Sequence, residues 1–158
     1  MSAPVIHILD RADDPRCAQL LPLFETMYAE EAALGSLAVL APDGAQRWMR
    51  GVVAGLERFG RLAVAEDRGL VVGFAHGAVR LQPDHLQGGP VGSITHVYVV
   101  PAQRRGGVAR ALVGALGDWF AQRNVARTEL TVVAGNPGAL AFWTTLGFSV
   151  SLHQLART

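Results

Sequence analysis

Between Val100 and Leu112 the sequence reads Val-Pro-Ala-Gln-Arg-Arg-Gly-Gly-Val-Ala-Arg-Ala-Leu, an apolar segment that enters a basic glycine turn and leaves it as helix-forming sequence. The first turn of a helix carries backbone N–H groups without intrahelical partners and the positive end of the helix dipole. Glycines let an anion reach those groups, and arginines beside them add charge. Arg104, Arg105, Gly106, Gly107, Val108, Ala109 and Arg110 are therefore a candidate cradle for a phosphate or pyrophosphate. Two rival motifs fail. A P-loop needs Gly-Lys-Ser/Thr, and this chain has no lysine among its 14 basic residues; the dinucleotide fingerprint needs G-x-G-x-x-G after a first strand. An ordinary helix entry with solvated arginines would share the same short pattern.

A second group follows about 30 residues later, Asn136-x-x-Ala139-x-x-Phe142-Trp143-x-x-Leu146-Gly147-Phe148, with helical spacing and a glycine stop. Asn136 before Pro137 is also a good helix start, which needs no ligand. The elements that must position these groups alternate in the manner of an α/β fold. Strand composition at Val5–Leu9 (β1) precedes helical periodicity over 15–33 (α1) and 43–57 (α2). Two β-rich runs, 61–66 (β2) and Leu70–Leu81 (β3), flank Asp67-Arg68-Gly69 as a hairpin. Prolines and glycines make 83–92 a loop, and 93–100 is a β-branched strand (β4). Helix 107–122 (α3), strand 128–134 (β5) and helix 137–146 (α4) follow, and 148–155 is expected to close the sheet. There is no repeat, linker or low-complexity tract, so 1–158 reads as one domain.

Arg104-x-x-Gly107-x-Ala109 and the Asn136 to Phe148 group, in this order of elements, resemble the GNAT superfamily of acetyl-CoA-dependent N-acetyltransferases. The resemblance spans nearly the whole chain, roughly residues 5–155. It implies a central mixed, mostly antiparallel sheet splayed between β4 and β5 and flanked by about four helices. It also implies acetyl-CoA as co-substrate, with Val97 and Val99 lending backbone groups to the pantetheine arm and acetyl carbonyl. The pyrophosphate would sit on residues 104–110, with Asn136 and Trp143 contributing to the cofactor site. Relatives often have glycine where this chain has Arg105, so the turn must accept a side chain there, directed to solvent or to a phosphate.

Two departures bear on chemistry. Many relatives carry tyrosine at position 143, where its phenol protonates the departing thiolate; an indole N–H is far too weak an acid for that. A thiol pKa near roughly 8.5 makes thiolate a tolerable leaving group, so water can protonate it afterwards. Tyr28 is the alternative donor, at the end of α1 towards the acceptor pocket, whereas Tyr98 reads as core. Many relatives also keep a glutamate on β4 where this chain has Thr95, which cannot act as a base. An amine with a pKa near about 10 must lose a proton before attack, and the neighbouring His96 titrates in the useful range. Simple alternation turns His96 away from Val97, so its role depends on a bulge or splay in β4; packing as a sheet-face histidine is the competing role. Glu30 and Glu31, near the end of α1, are candidates for recruiting a cationic amine, and solvated carboxylates there would be ordinary. His76 and His85 are weaker candidates of the same kind.

Composition limits the partners. A formal net charge of +1 gives no general field for nucleic acid or an acidic membrane, and no apolar run reaches the roughly 18 residues of a membrane span. A cytoplasmic protein is expected. Cys17, the one cysteine, excludes an internal disulfide, and the histidines have no metal-ligand spacing, so no metal is expected. The reading is transfer of an acetyl group to a primary amine, more readily a small molecule than a protein, by direct attack in a ternary complex. A non-catalytic acetyl-CoA sensor is the alternative. Relatives often dimerise, and a homodimer is compatible with the short C-terminus.

Overall fold

The computed structural model describes residues 2–158. Five strands form one sheet in the order β1 (Val5–Leu9), β2 (Gly60–Asp67), β3 (Leu70–Leu81), β4 (Pro90–Val99) and β5 (Arg127–Glu129). The first three pairings are antiparallel and β4 runs parallel to β5, so the sheet is mixed. Four helices flank it: α1 (Arg16–Ala33), α2 (Gly44–Gly55), α3 (Val108–Gln122) and α4 (Pro137–Thr145). No helix among the described residues is long and apolar enough to cross a membrane.

Period-2 alternation divides the core between the two faces of the sheet. Leu62, Val64, Phe74 and Tyr98 face α1 and α2 and pack with Leu20, Phe24, Met27 and Val52. Ala63, Ala65, Ala75, Ile94 and Val99 face α3 and pack with Leu112, Leu116, Trp119 and Phe120. The residues beneath α3 are small for a reason. A Cβ on Gly77 or Gly92 would come within 3.0 Å of the Phe120 ring, so the bulk comes from the helix and not from the strands. On the other face Phe24 is the hub, stacked on Trp48 at 4.1 Å and touching the rings of Tyr28, Phe74 and His96.

Four expectations are corrected. β4 begins at Pro90, inside the stretch read as loop, because Gln82 N–H donates to the Gly89 carbonyl and a 3-10 turn at Asp84–Leu86 closes the hairpin within a few residues. β5 stops at Glu129 and does not continue to 134, since its ladder with β4 holds only Val91↔Arg127, Gly92↔Thr128 and Ser93↔Glu129. Residues 148–155 close no sheet: with β5 so short there is no ladder to join, and Val150, Leu152 and Leu155 stand exposed. Asp43, read as the cap of α2, makes no capping bond; its carboxylate is held by Arg47 Nε at 2.8 Å.

Replacing Phe24 by alanine removes the ring that joins α1, α2 and the sheet. Urea unfolding is expected to show a loss of about 3–5 kcal/mol, the usual cost of deleting a buried phenylalanine.

Candidate active site

The glycine turn is built as the sequence suggests. A 3-10 turn at Pro101–Gln103 follows β4, Arg104 is extended, Arg105 and Gly107 have φ of 66° and 84°, and α3 starts at Val108. Alternation of left-handed and ordinary residues turns successive N–H groups towards one point, an anion-binding concavity. No side chain caps α3, its first turn holds no acidic residue, and nothing lies within 4 Å of where a Cβ on Gly107 would be. The left-handed φ at Arg105 explains why glycine suits this place: a side chain is tolerated there at a backbone cost of about 1–2 kcal/mol. Arg105 and Arg110 are exposed and form no ion pair among the described residues.

Arg104 is engaged elsewhere. Its Nε donates to the Val99 carbonyl at 2.8 Å, its Nη2 donates to Glu30 at 2.8 Å, and its guanidinium lies over the Tyr98 ring. Tyr98 donates its hydroxyl to the other Glu30 oxygen at 3.1 Å. Two sequence candidates, Arg104 and Glu30, thus hold each other and stitch α1 to the end of β4. Glu31 makes no side-chain hydrogen bond among the described residues, and burial raises its carboxyl above the ordinary range.

Beyond Ser93 and Glu129 the two parallel strands separate, leaving the edge of β4 from Ile94 to Val99 without a strand neighbour on that side. Val97 and Val99 point their side chains into the α3 core, so only their backbones border this gap. Asn136 accepts from the Ala139 N–H at 3.0 Å and is the cap of α4. Trp143 is buried, edge-on to Phe142 and Phe148. A pocket of about 330 Å³ opens beside the gap, between Arg110, Gly114 and Gly117 of α3 and Thr128, Leu146 and Phe148.

The proton-handling candidates meet on the other face. β3 and β4 pair His76 with His96 but Gly77 with Ile94, so Thr95 is an extra residue, a β-bulge. The bulge sends Ile94 to the α3 face while Thr95 and His96 both turn towards α2. Tyr28 Oη lies 3.3 Å from His96 Nε2, although 68 residues separate them in sequence. Thr95 Oγ1 lies 2.9 Å from His96 Nδ1 and 2.6 Å from His76 Nδ1, and it donates to the His76 carbonyl at 3.2 Å. Burial lowers both imidazoles to about 4, and for His96 the neighbouring His76 adds to the effect. Both are neutral at pH 7. Tyr28 is pushed up by burial and then by Glu31, so it stays a protonated donor. A second pocket of about 330 Å³ opens onto this cluster, walled by Trp48, Gly51 and Gly55 of α2 and by Phe59 and Gly60. In the sequence His76 is a minor candidate and Thr95 none at all; the bulge brings them into one site. No cluster of three or more metal-binding side chains occurs among the described residues.

Comparison with known proteins agrees with this fold. The profile of the acetyltransferase (GNAT) family matches residues 24–148. Over 87 residues, 54% of the chain, the sequence is 39% identical to a mycothiol acetyltransferase of Amycolatopsis mediterranei (strain U-32). The chain covers 29% of that protein, less than a third of its length. Among solved structures, an aminoglycoside N-acetyltransferase, AAC(6')-Iy in complex with CoA, superposes with a TM-score of 0.79 at 16% identity, over 100% of this chain and 95% of the other. A ribosomal-protein-alanine N-acetyltransferase from Brucella melitensis biovar Abortus 2308 gives 0.68 at 18% identity, over 98% and 99%. These structural likenesses are of fold, and the acceptors in the two names are chemically unlike.

Proposed function

The chain belongs to the acetyltransferase (GNAT) family, and we propose that it is an acetyl-CoA-dependent N-acetyltransferase acting on a small primary amine by direct attack. The observation that carries this is the placement of two complementary openings on one strand. The unpaired edge of β4 leads up to the glycine turn at 104–110, and the bulge at Thr95 opens the opposite face to a pocket holding neutral histidines.

The residues present fit the co-substrate. The N–H groups of 105–110 and the exposed Arg105 and Arg110 suit a pyrophosphate, and the β4 backbone edge at Val97 and Val99, where only the Val99 carbonyl is taken, by Arg104 Nε, suits an extended amide-bearing arm. Arg104 contributes its main chain, its side chain being held by Glu30. Asn136 and Trp143 border the arm from α4. Bound there, acetyl-CoA supplies an activated thioester. The amine enters between α2 and the bulge, and the histidine pair bridged by Thr95 takes up the proton released as its nitrogen attacks; Tyr28 and His96 act as a unit within that pair. The pocket is shaped by Trp48, Val52 and Phe59 with Arg47 at its rim, which suits an acceptor with an apolar body better than a polycation. Cys17 is buried in α1 with its thiol raised by burial, which argues against it as an acyl-enzyme nucleophile.

Acetyl-CoA-dependent thiol release with pooled amines is expected to exceed the amine-free control. Binding of acetyl-CoA without release to any amine would instead fit the sensor alternative. In calorimetry, Arg105→Glu, at a position already occupied by a side chain, is expected to weaken CoA binding about tenfold through charge reversal at the turn. An unchanged Kd would remove the turn from the cofactor site.

A further inference from the structure

The contacts around Thr95 couple the proton positions of the two histidines. A threonine hydroxyl has one proton to give and two lone pairs to receive. With that proton given to the His76 carbonyl, an acceptor only, both imidazole contacts at Oγ1 are Nδ1–H groups donating to it. Each neutral ring then has a bare Nε2. That of His96 accepts from the Tyr28 hydroxyl. That of His76 has no hydrogen-bond partner among the described residues, and the ring lines the acceptor pocket.

A second observation concerns the approach to this atom. Gly60 stands at the rim of the pocket, and a Cβ there would lie 3.2 Å from His76 Nε2. The φ of Gly60 is not in the left-handed region, so the backbone does not demand glycine; its absent side chain leaves the nitrogen open. The groups around the cluster are Arg47 and Trp48 from α2, Tyr28 with Glu31 behind it from α1, and Thr95 and His96 from β4. Arg47 is paired with Asp43, and none of the others competes for Nε2.

We infer that His76, and not His96, is the proton acceptor of the reaction, with Thr95 and the Tyr28–His96 pair as positioning residues that hold His76 in the tautomer leaving Nε2 bare. The inference rests on the acetyl-transfer reading. The nitrogen of the neutral amine, its ammonium proton already given to water, closes a bond to the acetyl carbonyl carbon, the carbon–sulfur bond breaks with its electron pair leaving on sulfur as thiolate, and the proton released from nitrogen moves to His76 Nε2. A ring of low basicity suffices, because the nitrogen becomes strongly acidic only as the new bond forms.

Nitrogen-15 NMR of the histidine rings in the protein without co-substrate tests the tautomer independently of turnover, with His76→Asn and His96→Asn giving the assignments. Both rings are expected as Nδ1–H tautomers at pH 7, and neither should gain a proton until the pH approaches 4. An Nε2–H tautomer at His76 overturns the inference. In the transfer assay His76→Asn, whose amide N–H can replace Nδ1–H towards Thr95, is expected to lower kcat about 10²-fold with KM for acetyl-CoA unchanged. His96→Asn should cost much less, and added imidazole should restore part of the rate of His76→Ala. A wild-type kcat in His76→Asn, or the larger loss in His96→Asn, overturns the assignment. If the rings show the expected tautomers but the wild-type protein acetylates no amine, the acetyl-transfer reading fails and the inference falls with it, while the proton positions stand.

Discussion

One extra residue in β4 organises this molecule. Were the β3–β4 ladder regular, Ile94 and His96 would share a face of the sheet, and either an isoleucine would lie in the pocket or a histidine would be buried under α3. The bulge at Thr95 lets Ile94 join Leu112 and Leu116 while His96 joins Phe24 and Trp48. It also places a hydroxyl opposite His76, where neither strand alone would offer a partner for both rings. The apolar cores on both faces remain continuous around it, so the packing of each face holds the irregularity in place.

The same strand separates two tasks. Towards its C-terminal end β4 loses its parallel neighbour and feeds the glycine turn, where electrostatics come from backbone N–H groups and exposed arginines. Its opposite face, at the bulge, is apolar and aromatic, and there burial keeps the histidines neutral. A bare imidazole nitrogen at neutral pH is thereby secured by desolvation and by the Tyr28 and Thr95 bonds. Arg104, Glu30 and Tyr98 tie α1 to the end of β4 between these regions. The exposed pair of Arg104 and Glu30 adds little stability on its own, and its consequence is geometric: it keeps that guanidinium turned back from the glycine turn.

Much of the frame was legible in the sequence because it depends on local patterns. The Asp67-Arg68-Gly69 hairpin, the bounds of β3, the cap at Asn136 and the glycine stop at Gly147 follow from turn and capping chemistry acting over a few residues. The early end of β5 and the unpaired 148–155 were not legible, since a strand pattern records side-chain alternation and says nothing about whether a neighbour is present. The pairing of Arg104 with Glu30 and of Tyr28 with His96 spans about 70 residues, beyond the reach of periodicity. Thr95 shows the limit most clearly. Its residue type excludes it as a base, and its importance arises only from a register shift that no local signal announces.

If the bulge hydroxyl organises the proton acceptor, the steady-state kinetics of Thr95→Val will show it. Valine keeps the branched shape and removes the single atom that both imidazoles share. The variant is expected to fold, to bind CoA with unchanged affinity and to lose at least about tenfold in kcat, the consequence of losing general-base positioning. A Thr95→Val protein with wild-type kcat across the pH range would contradict that role for the hydroxyl.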